Sequence, residues 1–233
     1  MLFRQLFEPQ SSTYTYLIGC ERTREAALID PVVETIERDL AELDALGLSI
    51  RFTIETHIHA DHVTGASALR ERTGCRCAVP EKSGAAHADV AVREGEAIRV
   101  GELQLQPLYT PGHTDDHHSY FLHHSGQARV FTGDALLIDG CGRTDFQNGD
   151  SATLYRSVHE KLFSLPEETL VYPGHDYQQR RVSSIGQERD RNPRLGGAKS
   201  VNEFIEVMAA LNLPRPKKMD VAVPANRLLG QRH

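Results

Sequence analysis

The sequence lacks several features that would assign the protein to a membrane or to nucleic acid. No segment approaches the roughly 20 consecutive apolar residues that a membrane-spanning helix requires. The first residues, MLFRQLFEPQSSTY, contain no apolar stretch long enough for a signal peptide. The formal net charge of -6 gives no basic surface for nucleic acid. We therefore expect a cytoplasmic protein whose partners include neither membrane nor nucleic acid.

The chain is also poor in cysteine, with four residues: Cys20, Cys75, Cys77 and Cys141. They are too few and too irregularly spaced for a disulfide framework in a chain of this size. The pair Cys75 and Cys77 lacks a second pair that would complete a metal site. We expect all four thiols to be reduced, and structural packing is favoured over a redox or substrate role for Cys141.

The length of 233 residues suits one large domain, or one domain with a small appendage. Apolar residues make up 39% of the chain and charged residues 25%, which are ordinary values for a globular protein that buries a substantial core. No internal repeat or low-complexity tract interrupts this composition. The sequence therefore predicts a folded protein along most of its length.

Periodicity predicts alternating strands and helices. Residues 14–18 and 26–29 form a predicted hairpin, and a helix over about 33–46 and a strand over 51–55 follow. The further predicted helices cover 65–72, the segment from 151 to Pro166, and a segment that begins with a capping box at 200–203. The further predicted strands cover 75–79, 119–122, 129–132 and 170–172, with a hairpin over 97–109.

The segment HIHADH, residues 57–62, places three histidines and a carboxylate directly after a predicted strand. Such side chains would destabilise an apolar core unless a cation engaged their lone pairs, so metal binding is the preferred interpretation. A solvated, histidine-rich loop is the alternative. His113, Asp134 and His175 each follow another predicted strand, where a rigid sheet can orient them toward the same site.

These motifs carry a resemblance. The HxHxDH segment, with PGHT at 111–114, GD at 133–134 and PGHD at 173–176, resembles the metallo-β-lactamase superfamily from residue 14 to about 177. The resemblance implies an α/β (α+β) fold, a four-layer αββα sandwich. It also implies two neighbouring metal sites, which suits a binuclear zinc hydrolase. The first site would take His57, His59 and His113, the second Asp61, His62 and His175, with Asp134 as the bridge.

Segments outside these positions resemble one family within the superfamily, the persulfide dioxygenases. They are ALLIDGCGRTDFQ at 135–147, LYRSVHEK at 154–161, ER at 188–189, NPRL at 192–195, NLP at 212–214 and VPAN at 223–226. The resemblance implies oxidation of glutathione persulfide by O₂ to sulfite and glutathione. It further implies a single domain over 1–233, in which 178–233 is a short extension with one helix, and a homodimer as an assembly that the family allows.

In that family one Fe(II) per chain is held by two histidines and one aspartate, which correspond here to His57, His113 and Asp134. Three protein ligands leave open positions at which a persulfide sulfur and O₂ can bind as neighbours. The remaining candidates, which either support the ligands or form a vacant second metal site, are His59, Asp61, His62 and His175.

Two residues are predicted to bind the substrate. Arg143 could contact a carboxylate of glutathione, and the equally supported alternative is an ion pair with Asp145 or Asp150 that stabilises the loop. Tyr177 is the second candidate, and a packed ring is its alternative. Six other histidines lack the strand-end context and are expected to be at the surface or packed: His87, His117, His118, His123, His124 and His159.

Three other functions compete with the dioxygenase. A hydroxyacylglutathione hydrolase with two zincs would share the metal motif, but its helical substrate domain is hard to fit into the 58 residues after His175. A β-lactamase is disfavoured because many of those zinc enzymes have Cys where this chain has Asp134. A non-catalytic metal-binding module would be expected to lack ligands, and every ligand position is filled here.

Overall fold

Two six-stranded sheets lie face to face in the computed structural model, which describes residues 1–231. The first sheet is β1 (Leu2–Glu8), β2 (Thr13–Gly19), β3 (Glu25–Ile29), β4 (Ser49–Ile54), β5 (Arg76–Pro80) and β6 (Val90–Val92). The second sheet is β7 (Ile98–Val100), β8 (Leu103–Tyr109), β9 (His118–His124), β10 (Gln127–Gly133), β11 (Leu170–Pro173) and β12 (Ser183–Ser184). Both sheets are mixed, because β3 to β6 run parallel in the first and β10 and β11 run parallel in the second.

Helices cover the outer faces of the sheets. They are α1 (Ile36–Ala45), α2 (Ala66–Thr73), α3 (Ser151–Ser157), α4 (Ile185–Arg191), α5 (Val201–Ala209) and α6 (Met219–Asn226). The predicted capping box of Ser200 with Glu203 is present, and the Asp150 side chain caps α3 by accepting a hydrogen bond from the backbone of Thr153. Beyond α3, a π-helical segment continues from Val158 to Leu162.

Three apolar layers hold these elements together. The layer between the sheets includes Tyr16, Ile54, Leu105 and Phe131, all fully buried. A second layer packs α1 and α2 on the first sheet through Leu17, Leu28, Leu43 and Leu69. A third packs α3 and α5 on the second sheet through Val130, Leu154, Val158 and Phe204. The αββα sandwich is confirmed, since side chains of alternate strand positions point to opposite faces and both faces of each sheet are covered.

The topology brings the potential ligands to one edge. Strands β8 and β10 are parallel to each other because both pair antiparallel with β9, and β11 is parallel to β10. Their carboxyl ends therefore deliver His113, Asp134 and His175 to the same side of the second sheet. The carboxyl end of β4 delivers His57 from the first sheet, and His118, the first residue of β9, donates its backbone N–H to the carbonyl oxygen of Thr56 at 2.8 Å.

The predicted elements are present within a few residues, but several features differ. Strands β1, β6 and β12 were not predicted; β1 has half-buried side chains without clean alternation, β6 has three residues and β12 has two. The prediction of one helix in 178–233 is wrong, because α4, α5 and α6 all lie in this part of the described chain. Helix α4 is only seven residues of mostly polar sequence, and α6 contains Pro224, so neither shows a helical pattern.

Within residues 1–231, no helix is both long and apolar enough to cross a membrane.

Candidate metal centre

Three side chains from three different loops converge at the edge where the strands end. His57, His113 and Asp134 each offer one ligand atom, and these atoms all lie within 4.8 Å of one another. His57 is buried, while His113 and Asp134 are partly open on one side. Such spacing lets a single cation at ordinary bond lengths of about 2.0–2.2 Å reach all three ligands.

Hydrogen bonds determine which ring nitrogen of each histidine is free to bind. The Oγ1 of Thr56 donates to the Asp30 carboxylate at 2.9 Å, so it accepts from the Nδ1–H of His57, also at 2.9 Å. Nδ1 of His113 donates to the carbonyl oxygen of Arg143 at 2.7 Å. In both rings the proton is therefore on Nδ1 and the lone pair is on Nε2, the state that a metal ligand requires.

The carboxylate of Asp134 is oriented by His175. Nδ1 of His175 lies 2.6 Å from Oδ1 of Asp134, and the other oxygen of Asp134 lies 3.5 Å from Nε2 of His113. Burial alone would raise the pKa of Asp134, but the neighbouring His175 and His113 rings lower it below its ordinary value. Asp134 is consequently ionised and presents its second oxygen toward the two free imidazole nitrogens.

His175 itself bridges two carboxylates. Its Nε2 lies 2.9 Å from Oδ2 of Asp61, opposite the contact with Asp134. Burial opposes a charge on this ring, but the two carboxylates raise the pKa of His175 well above its ordinary value. The protonated ring donates its Nδ1–H to Asp134 and its Nε2–H to Asp61, which keeps both carboxylates in place.

His59 is not part of the group of His57, His113 and Asp134, although its ring centre lies only 4.1 Å from that of His57, and its Nε2 faces two acidic side chains. Its Nε2 lies 3.1 Å from Oδ1 of Asp30 and 3.5 Å from Oε2 of Glu55. Burial lowers the pKa of this ring, and the two carboxylates raise it well above the ordinary value. Asp30 is already an acceptor for both the backbone and the hydroxyl of Thr56. Asp30 therefore holds His59 and Thr56 together, while Oε2 of Glu55 is buried without a hydrogen-bond partner among the described residues.

A second set of possible ligands is less complete. His59, Asp61 and His62 also place one ligand atom each within 4.8 Å of one another. Nδ1 of His59 and Nε2 of His62 are buried without a hydrogen-bond partner among the described residues. The Asp61 oxygen that contacts His175 also lies 3.0 Å from Nδ1 of His62. These side chains therefore have the donor atoms that a second cation would need.

The donor set of the first site fits iron. Two imidazole nitrogens and one carboxylate oxygen on one side of a centre form the arrangement that non-haem Fe(II) oxygenases use. The partly open sides of His113 and Asp134 face a cavity, so other ligands can enter. His57, His113 and Asp134 can thus hold one ferrous ion.

Two residues next to the site were not predicted to have a role. His117 is fully buried, and its Nε2 accepts a hydrogen bond from the backbone N–H of Asp134 at 3.1 Å. Burial and the nearby His113 lower the pKa of His117 well below its ordinary value, which suits a neutral acceptor. Asp116 accepts from the backbone N–H of Ile58 at 3.0 Å and so holds the loop of His57. Their position in the turn between β8 and β9, shared with His113, was the available signal.

A cavity of about 850 Å³ opens onto His113 and Asp134, a volume within the range of small-molecule sites. Tyr177 lies at its rim with 78% of its surface exposed, and its ring is nearly parallel to that of His175. Arg143 also lines the cavity, but its guanidinium bonds to both Asp145 oxygens and to the carbonyl oxygens of Leu213 and Pro214. Part of one cavity wall, residues 213–219, is thereby fastened to Arg143.

The thiols do not participate in this site. Within the described chain all four cysteines are free and buried. Burial raises the pKa of Cys141 to about 11, and its Sγ faces the sulfur of Met208 at 3.7 Å. Cys141 is therefore a neutral, packed thiol, as expected for a structural role.

Comparison with known proteins agrees with this geometry. Residues 9–175 match the family model of the metallo-beta-lactamase superfamily. The chain is 51% identical to the mouse (Mus musculus) persulfide dioxygenase ETHE1, mitochondrial, over 99% of this chain and 89% of that protein. It matches the crystal structure of ETHE1 from Myxococcus xanthus with a TM-score of 0.95 and 57% identity, over 99% of this chain and all of that chain.

A hydroxyacylglutathione hydrolase of Polaromonas is more distant, at 34% identity over 88% of this chain and 78% of that protein. The superfamily match covers the loops of all the potential ligands, and the likeness to the ETHE1 proteins extends through residues beyond it. The chain therefore belongs to the metallo-β-lactamase superfamily and, within it, to the persulfide dioxygenase family.

Proposed function

We propose that the protein is a persulfide dioxygenase that oxidises glutathione persulfide with O₂ and water to sulfite and glutathione, at one Fe(II) held by His57, His113 and Asp134. The observation that carries this proposal is the ligand set itself: two histidines with Nε2 free and one ionised aspartate, whose ligand atoms all lie within 4.8 Å of one another. The full-length likeness to proteins named persulfide dioxygenase supports the choice of substrate.

The reaction balances without another reductant. The terminal sulfur of the persulfide gains three oxygen atoms, two from O₂ and one from water, and the sulfur–sulfur bond breaks to leave the glutathione thiol. The outgoing sulfur supplies all the electrons that O₂ takes up. Ferrous iron, when bound, supplies the one-electron redox chemistry that lets O₂ react with a closed-shell sulfur compound.

The protein residues prepare the site for this reaction. The Thr56 hydroxyl and the Arg143 carbonyl hold the rings of His57 and His113 with their lone pairs inward. His175 donates to Asp134 and keeps that carboxylate oriented without occupying its second oxygen. Because these contacts are buried or nearly so, the ligands need little reorganisation when metal or substrate binds.

The cavity also has cations for a tripeptide with two carboxylates. Several of the basic side chains in its lining are already paired, including Arg180 with Asp176 and Lys218 with Glu34. Lys217 and Arg194 also line the cavity, and neither forms an ion pair within residues 1–231. We propose these two as contacts for the glutathione carboxylates, and the exposed Tyr177 ring as a surface for its backbone.

A second function has one specific observation in its favour. The unpartnered Nδ1 of His59 and Nε2 of His62 are the atoms that a second cation beside Asp61 would engage. Two zinc ions would activate a water molecule for thioester hydrolysis. We rank this glyoxalase II type activity below the dioxygenase because the sequence likeness to hydroxyacylglutathione hydrolases is weaker.

Metal content and O₂ uptake distinguish the two functions. We expect purified protein to contain about one iron per chain, and to consume O₂ and release sulfite in equal amounts when given glutathione persulfide. Metal would be measured by mass spectrometry, O₂ with an electrode and sulfite by chromatography. Two zincs per chain with rapid cleavage of S-lactoylglutathione and no O₂ uptake would contradict the proposal.

Arg143 is expected to affect substrate binding indirectly, by holding residues 213 and 214 of the cavity wall in position. We predict that Arg143→Ala raises KM about tenfold and leaves kcat within about twofold, because two hydrogen bonds to residues 213 and 214 are lost, each worth about 1 kcal/mol. Arg143→Lys should behave similarly, since a single ammonium group cannot reproduce the planar set of contacts. Steady-state kinetics with glutathione persulfide would measure both constants.

Lys217 is the comparison, because its proposed role is direct contact with a carboxylate of the substrate. Lys217→Ala should raise KM, and Lys217→Arg, which keeps the charge, should have a KM close to that of wild type. If Arg143→Lys also had wild-type KM, Arg143 would contribute through its positive charge and not through its hydrogen bonds to residues 213 and 214.

We further propose a cytoplasmic enzyme, with a homodimer as its candidate assembly. The mammalian relative is named mitochondrial, so fractionation of cells is the direct measurement.

A further inference from the structure

The VPAN segment near the end of the chain contacts the metal loop, here defined as residues 57–64. This loop contains His57 and lies between β4 and α2 without forming a helix or a sheet ladder of its own. Its backbone polar groups are mostly buried and must find partners elsewhere. The source of those partners determines how firmly the metal ligand is held.

Asn226, the last residue of α6, supplies three of them. Its side-chain amide donates to the carbonyl oxygens of His59 and His62, both at 2.9 Å, and its side-chain oxygen accepts from the backbone N–H of Thr64 at 2.8 Å. The residue is only 3% exposed. Both amide protons and the oxygen are therefore used on the metal loop, in a place where water cannot replace them.

Other side chains contact the backbone at the beginning of the loop, and its end also accepts a backbone hydrogen bond from the N–H of Val33 to the carbonyl oxygen of Val63 at 2.9 Å. Ile58 is held by Asp116 through its N–H and by Gln147 through its carbonyl oxygen. From His59 to Thr64 the side-chain contacts to the backbone come from Asn226, apart from any made by residues 232–233, which are not described. Asn226 thus supplies the side-chain contacts to the backbone in the second half of the metal loop.

The turn after α6 reinforces this docking. The carbonyl oxygen of Leu229 accepts from the N–H of Ser67 at 2.9 Å. A Cβ atom on Gly230 would lie 2.1 Å from the carbonyl oxygen of Thr64, so only glycine permits this approach. Apolar contacts add to this docking, with Ala222 and Ala225 against Val63, and with Val223 and the buried Leu229 in a cluster around Ile58. Polar contacts to the metal loop therefore act together with apolar packing in the attachment of this helix.

We infer that Asn226 is a positioning residue for the metal centre: it sets iron affinity by holding the metal loop, and with it His57, in the binding geometry. The inference rests on the metal site of the proposed function but does not depend on the reaction. Residues that support ligands typically change metal affinity about 10–100-fold when replaced, and Asn226 acts at two residues' distance from His57. We expect an effect near the lower limit.

The test uses full-length apo-protein titrated anaerobically with Fe²⁺ against a chromogenic chelator. Asn226→Ala and the isosteric Asn226→Asp should both raise the Kd for iron about tenfold, since Asp keeps the shape but places oxygen against two carbonyl oxygens. Asn226→Ser, which retains one short donor, should fall between these variants and wild type. The iron affinity of Asn226→Ser can also be measured if the Asn226→Ala and Asn226→Asp variants fail to fold.

Leu43→Ala is the matched control. Leu43 is buried beneath α1, remote from the metal loop, and its truncation should lower the melting temperature while leaving the Kd for iron unchanged. Wild-type affinity in all Asn226 variants, or an equal loss in Leu43→Ala, would overturn the inference. Failure of wild-type protein to bind iron would instead contradict the proposed metal centre.

Discussion

Replacing Asp134 or His113 with alanine should abolish iron binding and O₂ consumption. Each residue is expected to be a direct ligand, so the loss of iron affinity should exceed the roughly 100-fold upper range for residues that merely support ligands. Removal of Asp134 should have the larger effect, because His175 then loses one of the two carboxylates that it contacts. Iron per chain, measured after desalting, and O₂ uptake with glutathione persulfide would report both losses.

His123→Ala is the matched control for these variants. His123 is an exposed residue on β9 of the same sheet, outside the group of potential ligands. The variant should keep about one iron per chain and wild-type turnover. Retention of iron by Asp134→Ala with its fold intact would show that the metal binds elsewhere, with the set of His59, Asp61 and His62 as the alternative.

Gly142→Ala should damage the same centre without removing a ligand. A Cβ atom at this position would lie 2.6 Å from the carbonyl oxygen of Asp134 and 2.7 Å from Nδ1 of His113, much closer than van der Waals contact allows. One of these two groups must move, and the hydrogen bond from His113 to the Arg143 carbonyl would be strained or broken. We expect iron affinity and turnover to fall about 100-fold, with a loss of about 1–3 kcal/mol in the free energy of unfolding.

Gly140→Ala provides a comparison two residues away in the same loop. The nearest atom to a Cβ there would be Cζ of Arg194 at 3.9 Å, an ordinary contact. This variant should bind iron and turn over substrate like wild type, and iron titration combined with thermal unfolding would compare the two. Equal behaviour of Gly140→Ala and Gly142→Ala would mean that the close approach of Gly142 to His113 does not constrain the centre.

The fold could be predicted where each element buries an apolar pattern of its own. Strand β2 and helix α1 are examples, because the pattern of apolar residues in each follows its period and fixes its inner face. Helices α4 and α6 could not be predicted in this way. They are short, and α6 attaches through Asn226 and the turn at Gly230, contacts whose partners lie far away in the sequence.

The candidate site shows the same division. The positions of His57, His113 and Asp134 could be read from strand ends and from family resemblance, since a strand that terminates at a sheet edge delivers its next residue there. The sequence could not reveal that Asp30 and Glu55 draw Nε2 of His59 toward themselves, or that His117 contacts the backbone of Asp134. Those relations depend on ring orientation, which a linear motif does not specify. Arg143 is a further case, because only the structure shows its guanidinium bonded to residues 213 and 214.

The attachment of Asn226 to the metal loop has a consequence for biosynthesis. The residue is separated by 167 positions from His59 and by 164 from His62, so the ribosome makes the metal loop long before the side chain that fastens it. Contacts of such long range form late in folding. A nascent chain that already displays HIHADH therefore offers a loosely held, unselective cluster of donors to any available cation. Selection of iron should consequently belong to the finished chain, and a cell that loads the metal during translation would risk inserting the wrong one.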